Sequence, residues 1–109
     1  MKSINLRWPL RIAQEQIDGA LVLRLAGRVG ATSAETLLGA VADAVARGNR
    51  HVMLDLSAVD YVSSAGLRAL EAAADRCADT HGTLALRAAS QPVRLALELG
   101  GLLERFPIG

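Results

Sequence analysis

The chain has few aromatic residues and almost no cysteine. Its 109 residues include one Trp, one Tyr and one Phe (Trp8, Tyr61 and Phe106) and a single cysteine, Cys77. With so few aromatic rings, base stacking on nucleic acid has no support, and the core has to be built from Leu, Val, Ala and Ile. One thiol cannot form an internal disulfide, so we expect a reducing, cytoplasmic environment and not a secreted disulfide scaffold.

Excess charge and long apolar runs are also missing. The formal net charge is +1 and the basic residues are scattered, so the sequence predicts neither a nucleic-acid partner nor a membrane surface as partner. No apolar run approaches the roughly 20 residues that cross a bilayer, and Met1–Arg7 lacks the apolar segment of a signal peptide. We therefore expect one domain over residues 1–109, without direct membrane insertion.

Motifs for metals, cofactors and catalysis are absent as well. His51 and His81 have no Cys or carboxylate neighbours at metal-ligand spacing, and 27–30 lacks the spacing of a phosphate-binding glycine loop. Cys77 falls on the apolar stripe of a predicted helix, which favours a core residue over a nucleophile. A nucleophilic serine requires a base beside it, and the sequence places none beside Ser64. The sequence thus predicts no metal, no cofactor and no enzymatic activity.

What the sequence does contain is an alternation of strand-like and helix-like patterns. Runs of apolar residues indicate four strands, and apolar residues at helical spacing indicate three helices. The strands are predicted at Leu10–Gln16, Ala20–Ala26, His51–Leu56 and Thr83–Arg87, and the helices at about 32–47, 64–79 and 90–99. In the first helix, Thr32 with Glu35 has the spacing of a capping box, which predicts Thr32 as the N-cap.

The connections predict the topology. Asp18-Gly19 is a strong hairpin signal, so the first two strands should pair antiparallel. The later strands alternate with helices, which favours parallel pairing. We therefore predict a single-domain α/β fold whose mixed sheet of four to five strands begins with an antiparallel hairpin and packs against three to four helices. The tail from Leu102 to Ile108 is expected either to add a short edge strand or to pack on the core.

Two serines stand where the second helix begins, in the predicted turn Val59–Leu67. A helix N-terminus presents unpaired N–H groups and a partial positive charge, so it favours an anion. Ser63 and Ser64 are therefore either plain helix caps or a place where phosphate is added. Asp55, in the strand before them, either caps the following turn or has a function at the strand end.

The turn Val59–Leu67 and several segments on either side of it resemble the STAS domain, the family of anti-sigma factor antagonists. The most specific part of the likeness is the Ser-Ser-Ala-Gly-Leu turn at 63–67. The resemblance spans nearly the whole chain in the same order of elements, and it is carried by Gly27–Val29, Leu54–Ser57, Val59–Leu67, Pro92–Arg94, Leu99–Leu102 and Phe106–Ile108.

The resemblance implies a partner-switching regulator. Family members of this type bind a serine-kinase anti-sigma factor with a histidine-kinase-like ATPase fold, and binding releases a sigma factor. The kinase then phosphorylates one serine at the start of the second helix, the complex dissociates, and a serine phosphatase resets the cycle. Ser64 matches the phosphorylated serine. Ser63 stands where the family often has aspartate and is the alternative acceptor.

The same resemblance implies a partner-binding surface around this turn. Gly66 is expected to leave the first turn bare, so that a partner can approach closely. Arg68, one turn along, is expected either to pair with a phosphate or to be solvated. The protein is expected to be a monomer or a weak dimer. The implied contact residues are Gly27, Arg28, Asp55, Asp60, Tyr61, Ser63, Ser64, Ala65, Gly66 and Arg68.

Two other functions stay open at this stage. The first is a non-phosphorylated STAS subunit of a signalling assembly or of a membrane complex that transports lipids or anions; Ser63 in place of the family aspartate favours it. The second is a small α/β ligand-binding protein or enzyme, against which the missing catalytic set argues.

Overall fold

The order of strands and helices follows the predicted order. The structure is a computed structural model that describes residues 10–106. In this range the strands are β1 (Leu10–Ile17), β2 (Ala20–Val29), β3 (His51–Val62) and β4 (Thr83–Arg87), and the helices are α1 (Ala34–Ala46), α2 (Ser64–Ala78) and α3 (Gln91–Leu99). The predicted α/β fold class is confirmed, with four strands and three helices in the described part of the chain.

The sheet has the strand order β1-β2-β3-β4. β1 pairs antiparallel with β2, and β2, β3 and β4 are parallel neighbours. The hairpin turns at Asp18 and Gly19, whose φ angles of +48° and +82° are both positive. A two-residue turn of type I′ requires this and follows the twist of the strands. β4 pairs only with the first half of β3, His51–Asp55.

The core lies between one face of the sheet and the helices. Alternate residues of the central strands, such as Leu23 in β2 and Leu54 in β3, are fully buried there with Leu37 of α1 and Leu70 of α2. This pattern follows from the two-residue repeat of a strand and the apolar stripe of each helix. The opposite face of the sheet carries a charged group that includes Asp55, described below.

The central strands are longer than the sequence predicted. β2 continues to Val29 and β3 to Val62, so the predicted turn at 59–62 is strand. Val59 and Val62 are buried there and pair with Gly27 and Val29. The prediction was wrong because the β2–β3 pairing shifts register twice, at 24–26 and at 27–28. Such irregularities break the two-residue alternation from which a strand is recognised.

The N-cap of α1 is Ser33, and not the predicted Thr32. The Ser33 hydroxyl donates to the carbonyl of Arg28 at 2.8 Å and accepts from the N–H of Gly30 at 2.9 Å. It is 1% exposed and bonds with the loop before the helix, so α1 has no side-chain cap hydrogen bond. The capping-box spacing of Thr32 and Glu35 gave the wrong cap, because it does not reveal the hydrogen bonds between the Ser33 hydroxyl and the loop before the helix.

The C-terminal part agrees with the sequence prediction. α3 follows Ser90, has Pro92 in its first turn and ends before Gly100. Of the two alternatives for the tail, packing is the one observed, because Leu102 and Phe106 are buried and 102–106 contains no strand. Pro107 and Ile108 of the family-like pattern lie outside the described residues. In the part of the chain described, no helix combines the length and the apolar character needed to span a membrane.

Candidate functional site

The ends of β2 and β3 bring the first turns of α1 and α2 together. The two strands are parallel neighbours, so the loops that leave their carboxyl ends meet at one edge of the sheet. The N–H of Ser63 donates to the carbonyl of Val29 at 2.9 Å, and this bond joins the last residue of β2 to the start of α2. The Ser63–Ser64 turn is therefore held on the sheet by backbone pairing.

The two serines at this turn have different roles. Ser63 is the N-cap of α2, and its hydroxyl accepts from the N–H of Gly66 at 3.2 Å. Ser64 is the first residue of the helix and is exposed. A cap hydroxyl that accepts a helix N–H is held in place, whereas the serine at the next position is exposed. The structure separates a capping serine from an accessible one, which the sequence left open.

Gly66 is buried against the end of β2, contrary to the expectation that it keeps the helix tip bare for a partner. A Cβ atom built on Gly66 would lie 2.2 Å from the carbonyl oxygen of Val29 and 3.0 Å from a methyl carbon of Val62. No side chain fits at the first distance, and the obstacle is backbone. The glycine at this position is required by close packing of α2 on the sheet.

A cleft of about 290 Å³ opens beside the two helix starts. Its walls include Arg28 and Tyr61, which are cross-strand partners in β2 and β3, together with Ser63 and the loop at 30–33. Arg28 is exposed and Tyr61 is 55% exposed. An aromatic ring and a guanidinium that remain accessible beside a rigid turn are typical of contact residues in protein interfaces.

The ten residues of the implied contact surface differ in accessibility. Arg28, Asp60, Tyr61, Ser64 and Arg68 are exposed, Gly27, Ser63 and Ala65 are partly buried, and Asp55 and Gly66 are buried. The exposed residues come from the end of β2, the end of β3 and the first turns of α2. We call this set of five exposed residues the switch surface.

Asp55 belongs to a charged group on the sheet face opposite the core. It is 8% exposed, and its carboxylate accepts from the guanidinium of Arg87 at 3.2 Å and from the N–H of Ser57 at 2.9 Å. Arg24 lies 3.8 Å from the same carboxylate and also pairs with Glu15. Asp55 thus ties β2, β3 and β4 together at the point where the register of β3 shifts.

Sequence reasoning offered capping of the following turn as one role for Asp55. Its carboxylate does accept a backbone N–H, but from Ser57 within β3, and the partner Arg87 was missed. Arg87 ends β4 and pairs with Asp55 in the parallel register, which the sequence alone does not give. Sequence reasoning also missed that the hydroxyl of Ser33 is buried. No sequence pattern shows whether such a serine bonds with the preceding loop or caps the helix.

We expect Asp55 to contribute stability that is lost in acid. Burial alone would raise the pKa of Asp55, but hydrogen bonds from Ser57 and Arg87 outweigh it and hold the pKa below the ordinary value. A lowered folded-state pKa stabilises the fold above the unfolded-state value, near pH 4, and this contribution disappears as the pH falls through the folded-state pKa. Urea unfolding should show Asp55→Asn less stable than the native chain by about 2 kcal/mol at pH 7.

The difference between the two proteins should shrink steadily below pH 4. The exposed neighbour variant Asp60→Asn serves as control and should change the free energy of unfolding by less than about 0.5 kcal/mol. A pH-independent gap between Asp55→Asn and the native chain would show that the carboxylate charge is not what stabilises this position.

The remaining reactive groups do not assemble into a second site. Among residues 10–106 no cluster of three His, Cys, Asp or Glu side chains is placed to hold a metal ion. Cys77 is 1% exposed within α2, and burial raises the pKa of its thiol. As predicted, it is a core residue.

Comparison with known proteins agrees with this geometry. The sequence model of the STAS domain matches residues 11–109. A Bordetella bronchiseptica protein, BtrV, described as a candidate anti-sigma factor antagonist, is 37% identical over 99 residues, which cover 91% of this chain and 85% of BtrV. Among solved structures, an anti-sigma factor antagonist from Mycobacterium paratuberculosis superposes with a TM-score of 0.81 at 27% identity, covering 91% of this chain and 84% of that one.

A more distant structure shares the fold. The Bacillus cell fate determinant SpoIIAA in its phosphorylated form superposes with a TM-score of 0.68 at 16% identity, covering 91% of both chains. The match of the family over almost the whole length, together with the predicted order of strands and helices, places this chain in the STAS domain family.

Proposed function

We propose that this protein is an anti-sigma factor antagonist whose binding is switched by phosphorylation of Ser64. It binds a serine-kinase anti-sigma factor through the switch surface and so releases a sigma factor. The kinase phosphorylates Ser64, the complex dissociates, and a serine phosphatase restores the binding form. The supporting relatives are BtrV, described as a candidate anti-sigma factor antagonist, and the mycobacterial protein, described as an anti-sigma factor antagonist.

The observation that carries this proposal is the exposed position of Ser64 at the first residue of α2. A kinase has to bring the γ-phosphate of ATP in line with the acceptor oxygen, so the hydroxyl must be accessible on a surface that another protein can cover. Ser64 meets this requirement. Ser63 is partly buried, and its oxygen already accepts the N–H of Gly66.

The surroundings of Ser64 allow a phosphate without loss of the fold. The first turn of α2 contains no acidic residue, and the helix N-terminus favours an anion. Arg68 lies one turn further on the same helix face and is exposed. The dianion is therefore tolerated by the domain, and its cost falls on a protein docked over the turn. SpoIIAA, a protein of this fold, has a phosphorylated form, in agreement with such tolerance.

The decisive experiment maps the phosphorylated residue. The purified chain is incubated with ATP, Mg²⁺ and, in turn, each serine kinase of the histidine-kinase-like ATPase class encoded in the same genome, and the products are analysed by tandem mass spectrometry. We expect one phosphate, on Ser64. Ser64→Ala should abolish it, because no other accessible hydroxyl occupies the tip of α2.

Ser63→Ala is the matched control. It should remain a substrate, although loss of the cap should lower the free energy of unfolding by about 1 kcal/mol. Phosphate confined to Ser63 or to sites outside the turn would refute the switch at Ser64. A chain that no kinase of this class modifies, and that copurifies with a transporter subunit, would instead support a non-phosphorylated STAS subunit.

A further inference from the structure

An apolar stripe on the outer face of α3 contains no residue of the switch surface. Three large hydrophobic side chains are strongly exposed among the described residues, and two of them are Leu95 and Leu99 of this helix, at 54% and 79%. They are four residues apart and therefore project side by side. Their helix is anchored through its other face, where Val93 and Leu97 are fully buried.

The charges beside this stripe are self-complementary. Arg94 and Glu98 are exposed and are also four residues apart, so they form a row next to the leucines. No ion pair to either side chain is found within residues 10–106. When two copies of such a helix pack antiparallel about a twofold axis, the same flank meets itself in reverse order. Arg94 of each copy then faces Glu98 of the other.

We propose that α3 is the contact of a weak homodimer, in which the stripes of two copies pack antiparallel. Leu95 of one copy lies against Leu99 of the other, flanked by two symmetric pairs between Arg94 and Glu98. A parallel twofold arrangement would bring this flank against the opposite flank of the stripe, so that Arg94 and Glu98 of the two copies would not meet. This inference is independent of the proposed function, since it uses no residue of the switch surface.

The size of the stripe sets the strength of the dimer. Two leucines per copy cover far less than the roughly 1,200 Å² that stable complexes bury. The dimer should therefore form only at high concentration, with a Kd of roughly 0.1–1 mM. Sedimentation velocity of the full chain between 10 µM and 1 mM should show a sedimentation coefficient that rises with concentration.

Substitutions test both the surface and its symmetry. Leu99→Glu should weaken association at least about tenfold, whereas Ala72→Glu, which adds the same charge at an exposed position of α2, should leave it unchanged. Arg94→Glu and Glu98→Arg should each weaken it about threefold to tenfold, and the double variant should restore it. Thermal melts of the same variants show whether the domain remains folded.

The possible results decide the matter. A constant sedimentation coefficient up to 1 mM overturns the dimer. A dimer that persists in Leu99→Glu overturns the proposed surface. Single charge reversals that have no effect, or a double variant that fails to recover while its melting temperature is normal, overturn the antiparallel arrangement.

Discussion

Ser64→Asp should weaken binding of the serine-kinase anti-sigma factor by about 100-fold or more. The carboxylate imitates part of the charge that phosphate would bring to the tip of α2, inside a contact that the neutral serine permits. Like charge or desolvated charge within an interface costs several kcal/mol, which corresponds to at least two orders of magnitude in Kd. Isothermal titration calorimetry with the kinase identified by phosphate mapping measures this directly.

Two controls accompany this measurement. Ser64→Ala should bind as the native chain does, and it should stay bound in the presence of ATP because it cannot be phosphorylated. Ala72→Asp places the same charge on an exposed position of α2, eight residues and roughly 12 Å further along the helix, and should bind normally. Equal affinities of Ser64→Asp and Ser64→Ala would contradict a charge-operated switch.

Gly66→Ala should destabilise the fold by about 3 kcal/mol, although alanine is the better helix former. Its Cβ would lie 2.2 Å from the carbonyl oxygen of Val29, so either the first turn of α2 or the end of β2 has to move. The carbonyl of Val29 also accepts the N–H of Ser63, and this shift would therefore disturb the position of Ser64 as well. Urea unfolding gives the change in stability.

The chain offers a matched control in another helix. Gly39 of α1 is exposed, and a Cβ on it would meet no atom within 4 Å. Gly39→Ala should therefore stabilise the protein by up to about 1 kcal/mol, as helix propensity predicts. If both alanine variants changed stability in the same direction, backbone packing at Gly66 would not be the reason for glycine there.

The local elements were well predicted where a signal lies within a few residues. The Asp18-Gly19 turn needs two positive φ angles, and those residue types supply them. α3 was bounded by Pro92 in its first turn and by Gly100 after its last residue, both of which act through their own backbone restrictions. The family-like turn at 63–67 likewise directed attention to the correct helix start.

The errors occurred where hydrogen bonds to residues outside the predicted element decide the local structure. Residues 59–62 were predicted as a turn and are strand, because the irregular end of β2 pairs with them. Thr32 was predicted as a cap, but Ser33 takes that position while its hydroxyl bonds with the preceding loop. At 59–62 pairing with a distant strand overruled the local preference, whereas at the start of α1 hydrogen bonds of Ser33 to Arg28 and Gly30, only five and three residues earlier, did so.

The sequence by itself determined the class of fold, the order of its elements and the presence of two hydroxyl groups at the start of α2, because these follow from residue type and spacing. Only the tertiary structure decided which hydroxyl is accessible. Pairing between the ends of β2 and β3 places Ser63 in the cap and leaves Ser64 exposed. It also made Gly66 a packing residue and Asp55 the partner of Arg87. These outcomes depend on contacts between segments far apart in the chain, which periodicity within one segment cannot encode.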